Sequence, residues 1–337
     1  MPGSRRELTP PRATVHSVAE RAEVSIATVS RVMSNNPTVN PEMTERVRRV
    51  AAELGYRPSA TAQSLASGRT STIGLIVPNL GNPYFSDIIK SVAQSGGENG
   101  YRLLVADSNE RPDAELDLAQ SLLRGADGLI LVSSRLDRSE LNQLAEAHQP
   151  VVLVNRLEPG VGIPSVYLDN YTAMLELVGH LVRLGHTRIA YLSGPPLSWQ
   201  ATERFRAVQQ AKSFGVEVIL VAAGGTTDSG FEAADAAWES KPTAIMCFND
   251  LAALGVGARL AELKVRVPDD VSLTGFDDIP FARYATPPLT TAHSPQNELG
   301  RVAWSLMNRV LSGEVPGTPD PLPAPMVIRE STGSARR

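Results

Sequence analysis

Two sets of residues in this chain have the types and spacing to do chemistry. The first is the stretch SIATVSRVM, residues 25 to 33. Ser25, Thr28 and Ser30 are short hydroxyl donors of the kind that hold phosphate oxygens. Ile26 and Ala27 offer apolar contacts to thymine methyl groups, and Arg31 can pair with both acceptors of a guanine. Any small amphipathic helical hairpin could carry the same pattern. The second set lies where apolar runs end in polar residues, at Asn155, at Asn249-Asp250 and at Asp277-Asp278. A solvated strand end accounts for any one of these. Their recurrence points to a polar pocket shared by several strands, because ligands of open α/β sheets sit outside the carboxyl ends of the strands.

The elements that must position these groups are legible from periodicity. Val18, Ala19 and Ala22, then Ile26, Val29, Val32 and Met33, then Met43, Val47, Val50, Ala51 and Leu54 repeat at helical spacing and predict three short amphipathic helices. Thr14, Ser25 and Asn40 suit their N-caps, Pro41 the first position of the third helix, and Gly55 its C-terminal end. The two helices flanking Ala22-Glu23-Val24-Ser25 have the layout of a helix-turn-helix, whose second helix would enter the major groove, and equally that of a plain amphipathic hairpin. Beyond residue 70 short apolar strands alternate with amphipathic helices, at 72 to 78, 102 to 107, 127 to 132, 150 to 155, 188 to 194, 216 to 223, 243 to 250 and 271 to 278. Continuous apolar strands at this spacing imply βαβ units covered on both faces. The fold expected is therefore an all-α helix-turn-helix headpiece followed by an α/β core of two doubly wound parallel-sheet subdomains.

Composition narrows the possibilities. The chain has 337 residues, 42% of them hydrophobic, and a mean hydropathy of −0.10. No apolar run reaches the roughly 18 residues of a membrane span. The N-terminal segment MPGSRRELTPPRA lacks the apolar core of a secretory signal, so a cytoplasmic location is expected. The net charge of −4 conceals an asymmetry: residues 1 to 70 hold ten arginines, no lysine and six acids, a formal +4, which leaves −8 on the remainder. A basic headpiece on an acidic body is the footprint of a nucleic-acid binder with a second task. Cys247, the single cysteine, lies in the apolar run TAIMCFND and reads as a small core residue. GxGxxG, GxxxxGK[ST], HExxH and Cys/His metal clusters are missing, so neither an enzyme nor a metal or cofactor is expected. A transport-type sugar-binding protein would share the core but not the headpiece.

The segments TVHSVAERAEVSIATVSRVM and TERVRRVAAELGYRPSATAQSLASGRTSTIGLIVP resemble the headpiece and hinge of the LacI family of bacterial transcriptional regulators. NPYFSDII, ELVGHLVRLGHTRIAYLSG, PTAIMCFNDLAALG, VPDDVSLTGFDDIPFARYATPPLTT and VIREST resemble that family's regulatory domain in order and spacing. The resemblance implies a repressor with a periplasmic-binding-protein-like core, working as a homodimer on near-palindromic operator DNA. It divides the chain into a headpiece at 1 to 58, a hinge at 59 to 70 and a core at 71 to 337. The first core subdomain takes about 71 to 165 plus 293 to 322, the second about 166 to 292 plus 323 to 333. Base-reading positions fall on Ile26, Ala27 and Arg31, and phosphate contacts on Ser25, Thr28 and Ser30. The hinge helix begins near Ser59, with Ala62 against the minor groove and Leu65 as an apolar wedge. A small-molecule effector between the subdomains would meet Tyr84 and Phe85 on a helix at 83 to 94, Asn155, Arg204, Asn249 and Asp277. Ser198 and Gln200 come from the loop preceding a helix at 202 to 213. A carbohydrate is the expected effector, a nucleobase or nucleoside the alternative. The sequence departs from the family pattern twice. Arg206 stands where a glycine usually follows Arg204, and Glu23 stands where Gly or Asn usually provides a left-handed turn. The C-terminus carries no leucine heptad, which favours a dimer over a tetramer.

Overall fold

The computed structural model describes residues 13–33, 38–56 and 69–336, and the chain divides into two units after Ser71. In the N-terminal unit, Thr14 caps α1 (Val15–Arg21) through a capping box with Ser17. The Ser25 hydroxyl accepts from the Thr28 amide, 3.1 Å, at the start of α2 (Ile26–Met33). Asn40 caps α3 (Pro41–Glu53), with Pro41 at its first position. Val18, Val29, Val32, Val47, Val50 and Ala51 close a small core between the three helices. Ile26, which the spacing places in the apolar set, is instead 43% exposed.

Both ends of this unit's longer turns use one hydrogen-bond pattern. After α1 the Val24 amide donates to the Ala19 carbonyl, 3.0 Å, and the Glu23 amide to Glu20, 3.2 Å. After α3 the Tyr56 amide donates to Ala51, 2.8 Å, and Gly55 to Ala52, 3.1 Å. This is the Schellman ending, which requires a left-handed residue just past the cap. Glu23 has φ +54° and Gly55 φ +62°.

The second unit holds two parallel sheets. The first lobe runs β1 (Thr72–Val77), α4 (Tyr84–Glu98), β2 (Arg102–Asp107), α5 (Pro112–Leu123), β3 (Gly128–Val132), α6 (Arg138–Glu146), β4 (Val151–Val154) and β5 (Ser165–Val166). Its sheet order is β2-β1-β3-β4-β5. The second lobe follows with α7 (Asn170–Arg183), β6 (Arg188–Leu192), α8 (Trp199–Gln209), β7 (Glu217–Val221), α9 (Thr227–Glu239), β8 (Ala244–Cys247), α10 (Asp250–Glu262) and β9 (Ser272–Thr274), in sheet order β7-β6-β8-β9. After α11 (Pro280–Tyr284) and β10 (Thr291–Ala292) the chain returns to the first lobe. There α12 (Gln296–Leu311) buries Leu299, Ala303, Trp304 and Met307 in the core of the first sheet. β11 (Met326–Val327) pairs antiparallel with β10.

All eight expected strands form, with doubly wound parallel order in both sheets. The two-residue strands β5, β10 and β11 are additional. Helix α8 starts earlier than its periodicity indicates, because the Ser198 hydroxyl accepts from the Ala201 amide, 3.2 Å. It gives way at Gln210–Phe214 to a 3-10 turn that Gly215 ends at φ +76°. Helix α4 begins at Tyr84 and runs on to Glu98. Cys247 is buried in the second sheet, where burial holds its thiol well above the ordinary range. Helices α9 and α10 approach backbone to backbone: a Cβ on Gly230 would lie 2.1 Å from the Ala252 carbonyl, and one on Gly255 2.0 Å from that of Thr227. Among the described residues no helix is long and apolar enough to cross a membrane.

Candidate nucleic-acid face and effector cavity

On α2 the residues split cleanly by face. Val29 and Val32 are buried, whereas Ser25, Ile26, Ala27 and Arg31 are exposed and Thr28 and Ser30 are half-buried. The Ser25 and Thr28 hydroxyls lie 2.9 Å apart at the helix start, a position where backbone N–H groups favour anions such as phosphate. An exposed isoleucine beside an exposed alanine and arginine is what base-edge contact in a major groove requires. Ser59, Ala62 and Leu65, expected in the hinge, lie outside the described residues.

In the second unit, the carboxyl ends of both sheets open onto one cavity. Its wall includes all eight expected residues, Tyr84, Phe85, Asn155, Ser198, Gln200, Arg204, Asn249 and Asp277. Ser133 and Asn155, which directly follow β3 and β4, and Asp277, three residues past β9, hold positive-φ backbones there, at +50°, +58° and +107°. Non-glycine residues keep such conformations only where the surroundings over-determine them, and they cluster at ligand sites.

Arg204 is the centre of the second lobe's side of the cavity. Fully buried, it donates from Nε to Asn170 Oδ1 (2.9 Å), from Nη1 to the Phe248 carbonyl (2.7 Å) and from Nη2 to Asp277 Oδ1 (3.0 Å). Its guanidinium carbon lies 3.6 Å from the centre of the Phe276 ring. Burial pushes the Asp277 carboxyl up to about 6, against the downward pull of Arg204. The Asp277 carbonyl also accepts from Gln296 Nε2, 2.9 Å.

On the first lobe's side, Asn155 Nδ2 donates to the Tyr84 hydroxyl (2.9 Å) and more weakly to Ser133 Oγ (3.3 Å), while Ser294 Oγ donates to Tyr84 (3.2 Å). Burial holds the Tyr84 hydroxyl above its ordinary range, so it stays neutral. Asn155 Oδ1 is buried and has no hydrogen-bond partner. Such an orphaned acceptor needs an explanation, and a ligand donor is one. Phe85 and Tyr84 also belong to the first lobe's core, ring edge to ring face at 5.1 Å. They serve packing and cavity wall at once. Asn249 is largely occupied, with Oδ1 capping α10 and Nδ2 donating to the Gly225 carbonyl. Ser198 Oγ donates to Gln200 Oε1 (2.8 Å), and Gln200 Nε2 reaches across the cavity to Ser133 Oγ at 2.6 Å. The neighbouring Trp199 packs against Tyr167, ring centres 5.6 Å apart, and does not line the cavity.

Residues 14–59 match the family described as bacterial regulatory proteins, lacI family, and residues 178–332 match the periplasmic binding protein-like domain. Catabolite control protein A of Priestia megaterium is 32% identical over 328 residues, spanning 95% of this chain and 99% of that protein. The chain belongs to the LacI family of bacterial regulatory proteins. Among solved structures, the lac repressor dimer bound to operator and the anti-inducer ONPF is similar to this LacI-family chain with a TM-score of 0.85 and 27% identity, covering 96% of this chain and 100% of that one. The complex of the transcriptional regulator CelR with cellobiose is similar with a TM-score of 0.71 and 28% identity, over 95% and 100% of the two chains. The protein is thus a DNA-binding transcriptional regulator under effector control.

In this LacI-family regulator, sequence reasoning missed part of the cavity wall: Ser133, Arg135, Glu110 and Phe248. A signal was present for two of them, since Ser133-Ser134-Arg135 follows the apolar run DGLILV just as Asn155 follows PVVLV. Phe248 offers none, being one more apolar residue in TAIMCFND. Arg206, at the family's usual glycine position, points away from the cavity. It pairs with Glu203 at 2.9 Å and lies over the Tyr171 ring, so Arg204 keeps its place.

Proposed function

We propose that this regulator is a cytoplasmic, homodimeric repressor that reads a near-palindromic operator and whose operator affinity is controlled by a carbohydrate bound between its two core lobes. On DNA, Ile26, Ala27 and Arg31 read base edges and Ser25, Thr28 and Ser30 hold phosphates, with Leu65 of the hinge as the wedge. In the core, the eight residues above form the effector site. The domain and subdomain division follows the family resemblance. The observation that carries the effector reading is the buried, unpartnered Asn155 Oδ1 on a wall where Asp277, Ser133 and Gln200 also present polar atoms. Hydroxyl-rich ligands satisfy such walls with paired donors and acceptors, and Phe85 and Phe248 supply apolar faces for a sugar ring. The relative with cellobiose supports the same class. The two phenylalanines suit a nucleobase as well, which keeps a nucleoside as the second reading.

The free volume of the cavity is about 30 Å³, room for roughly two waters. A sugar ring therefore enters only if the lobes part, and the Gln200–Ser133 bond across the cavity must break first. That requirement ties binding to lobe orientation, which is how a ligand shifts a two-state equilibrium.

A mobility-shift titration on DNA upstream of the protein's own gene, with and without a panel of sugars, tests this reading. A specific complex whose midpoint moves with one carbohydrate is expected. No specific complex under any condition refutes it. In the same assay Arg31→Ala should lose discrimination at one base pair per half-site, about 1 to 3 kcal/mol; a uniform loss across operator variants would make Arg31 a phosphate contact.

A further inference from the structure

The charged groups on the cavity wall come as two pairs, one from each lobe. Asp277 with Arg204 is the second lobe's pair. The first lobe's is Glu110 with Arg135: Arg135 Nε donates to Glu110 Oε2 at 3.0 Å, Nη2 to Oε1 at 3.2 Å, and Nη1 to the Ser133 carbonyl at 2.7 Å. The Arg135 side chain is 5% exposed, that of Glu110 35%. These four are the charged residues among those lining the cavity, and their formal charges cancel.

A second observation points the same way. Three helices begin at the cavity, and a helix start ordinarily attracts anions through unpaired N–H groups. Here each start is met by a side-chain oxygen of the wall itself. Asn82 Oδ1 accepts from the Tyr84 amide (3.0 Å), Ser198 Oγ from Ala201 (3.2 Å) and Asn249 Oδ1 from Ala252 (2.9 Å). An incoming phosphate oxygen would compete with all three of these side-chain oxygens, and it would find both guanidinium groups already engaged by carboxylates. The cost of taking it out of water would go uncompensated. Hydroxyl groups meet no such penalty, since Asn155 Oδ1 and the carboxylates accept from them.

We propose that the effector is an uncharged polyhydroxylated molecule, and that Glu110, by neutralising Arg135, is the residue that excludes its phosphorylated forms. The proposal rests on the cavity being the effector site. Removing the charge of Glu110 frees a buried planar fork well matched to phosphate, so specificity should relax toward anions.

Calorimetric titration of the full chain with matched pairs decides it: D-ribose and ribose 5-phosphate, D-glucose and glucose 6-phosphate, adenosine and AMP. The wild-type protein should bind at least one uncharged member, and that member's phosphorylated partner about a hundredfold more weakly or not at all, a gap of two tenfold steps. Glu110→Gln should narrow the gap about tenfold or more, with circular dichroism reporting the fold. Equal or tighter binding of a phosphorylated member by the wild-type protein overturns the proposal, as does failure of every uncharged member to bind. An unchanged gap in a folded Glu110→Gln overturns the role of Glu110. The wild-type series is decisive even if the variant does not fold. Adenosine as the only ligand would refute the carbohydrate reading while upholding charge exclusion, whereas glucose 6-phosphate as the best ligand would do the reverse.

Discussion

Glu23 and Gly55 occupy the same position in two copies of one helix ending, each with a left-handed backbone and the same pair of backbone hydrogen bonds. Glycine adopts that conformation at no steric cost, while any residue with a Cβ loses roughly 1 to 2 kcal/mol. Glu23→Gly should therefore stabilise the N-terminal unit by about 1 kcal/mol, seen as slower hydrogen exchange at the buried amides of α1 and α2 in the full-length protein. It also removes an acid next to α2, the helix proposed to read DNA, so non-specific DNA affinity should rise. Unchanged exchange and unchanged binding would mean that the turn relaxes elsewhere. Asp277 gives a second residue-scale prediction. Its folded carboxyl titrates at about 6, above the ordinary 3.8, so between those values the native state holds more protons than the unfolded chain. This group's contribution therefore favours the fold at low pH and is lost as pH rises through that window. Asp277→Asn should flatten that part of the slope of melting temperature against pH. Effector binding should show the opposite trend, weakening as pH falls through about 6 and the carboxylate stops accepting from hydroxyls; pH-independent affinity would remove Asp277 from the site.

At the scale of elements, the contact between α9 and α10 separates two substitutions that look alike on paper. Gly255→Ala would press a methyl group into the Thr227 carbonyl, and the helices must move apart, costing about 1 to 3 kcal/mol or more. Gly97→Ala, in the last turn of α4 with nothing within 4 Å of the new Cβ, should instead stabilise by up to about 1 kcal/mol from helix propensity alone. Urea denaturation of the two variants reads the opposite signs; the same sign in both would refute the backbone-contact account. The elements themselves were largely legible in the sequence, because eight apolar runs and three amphipathic repeats each carry a period. β5, β10 and β11 are two residues each, too short for any period to register. The site was legible where a polar residue of Asn or Asp type closes an apolar run, and where family resemblance placed Arg204. It was not legible at Glu110, nor in the pairing of Glu110 with Arg135, because the two are 25 positions apart on different loops. Only the order β2-β1-β3 brings those loops together, and sheet order is not written in local periodicity.

For the molecule as a whole, charge is segregated: +4 over residues 1 to 70 and −8 over the rest. Two binding events on one chain should therefore respond differently to salt. DNA affinity should fall by about a thousandfold or more between 50 and 200 mM salt if six or more phosphates are neutralised. Effector affinity should change little, because the charges on the cavity wall are paired and mostly buried, where screening is weak. Fluorescence anisotropy on labelled operator and calorimetry on the effector measure the two slopes. A steep salt dependence of effector binding would contradict the neutral cavity. The two faces of α2 carry this separation of tasks down to a single helix. Val29 and Val32 hold it in the core, and no residue among Ile26, Ala27 and Arg31 shares that duty. If the proposed reading of α2 holds, a change of base contact at Ile26 or Ala27 leaves the Val29 and Val32 packing in place, so operator choice can vary without a matching loss of fold.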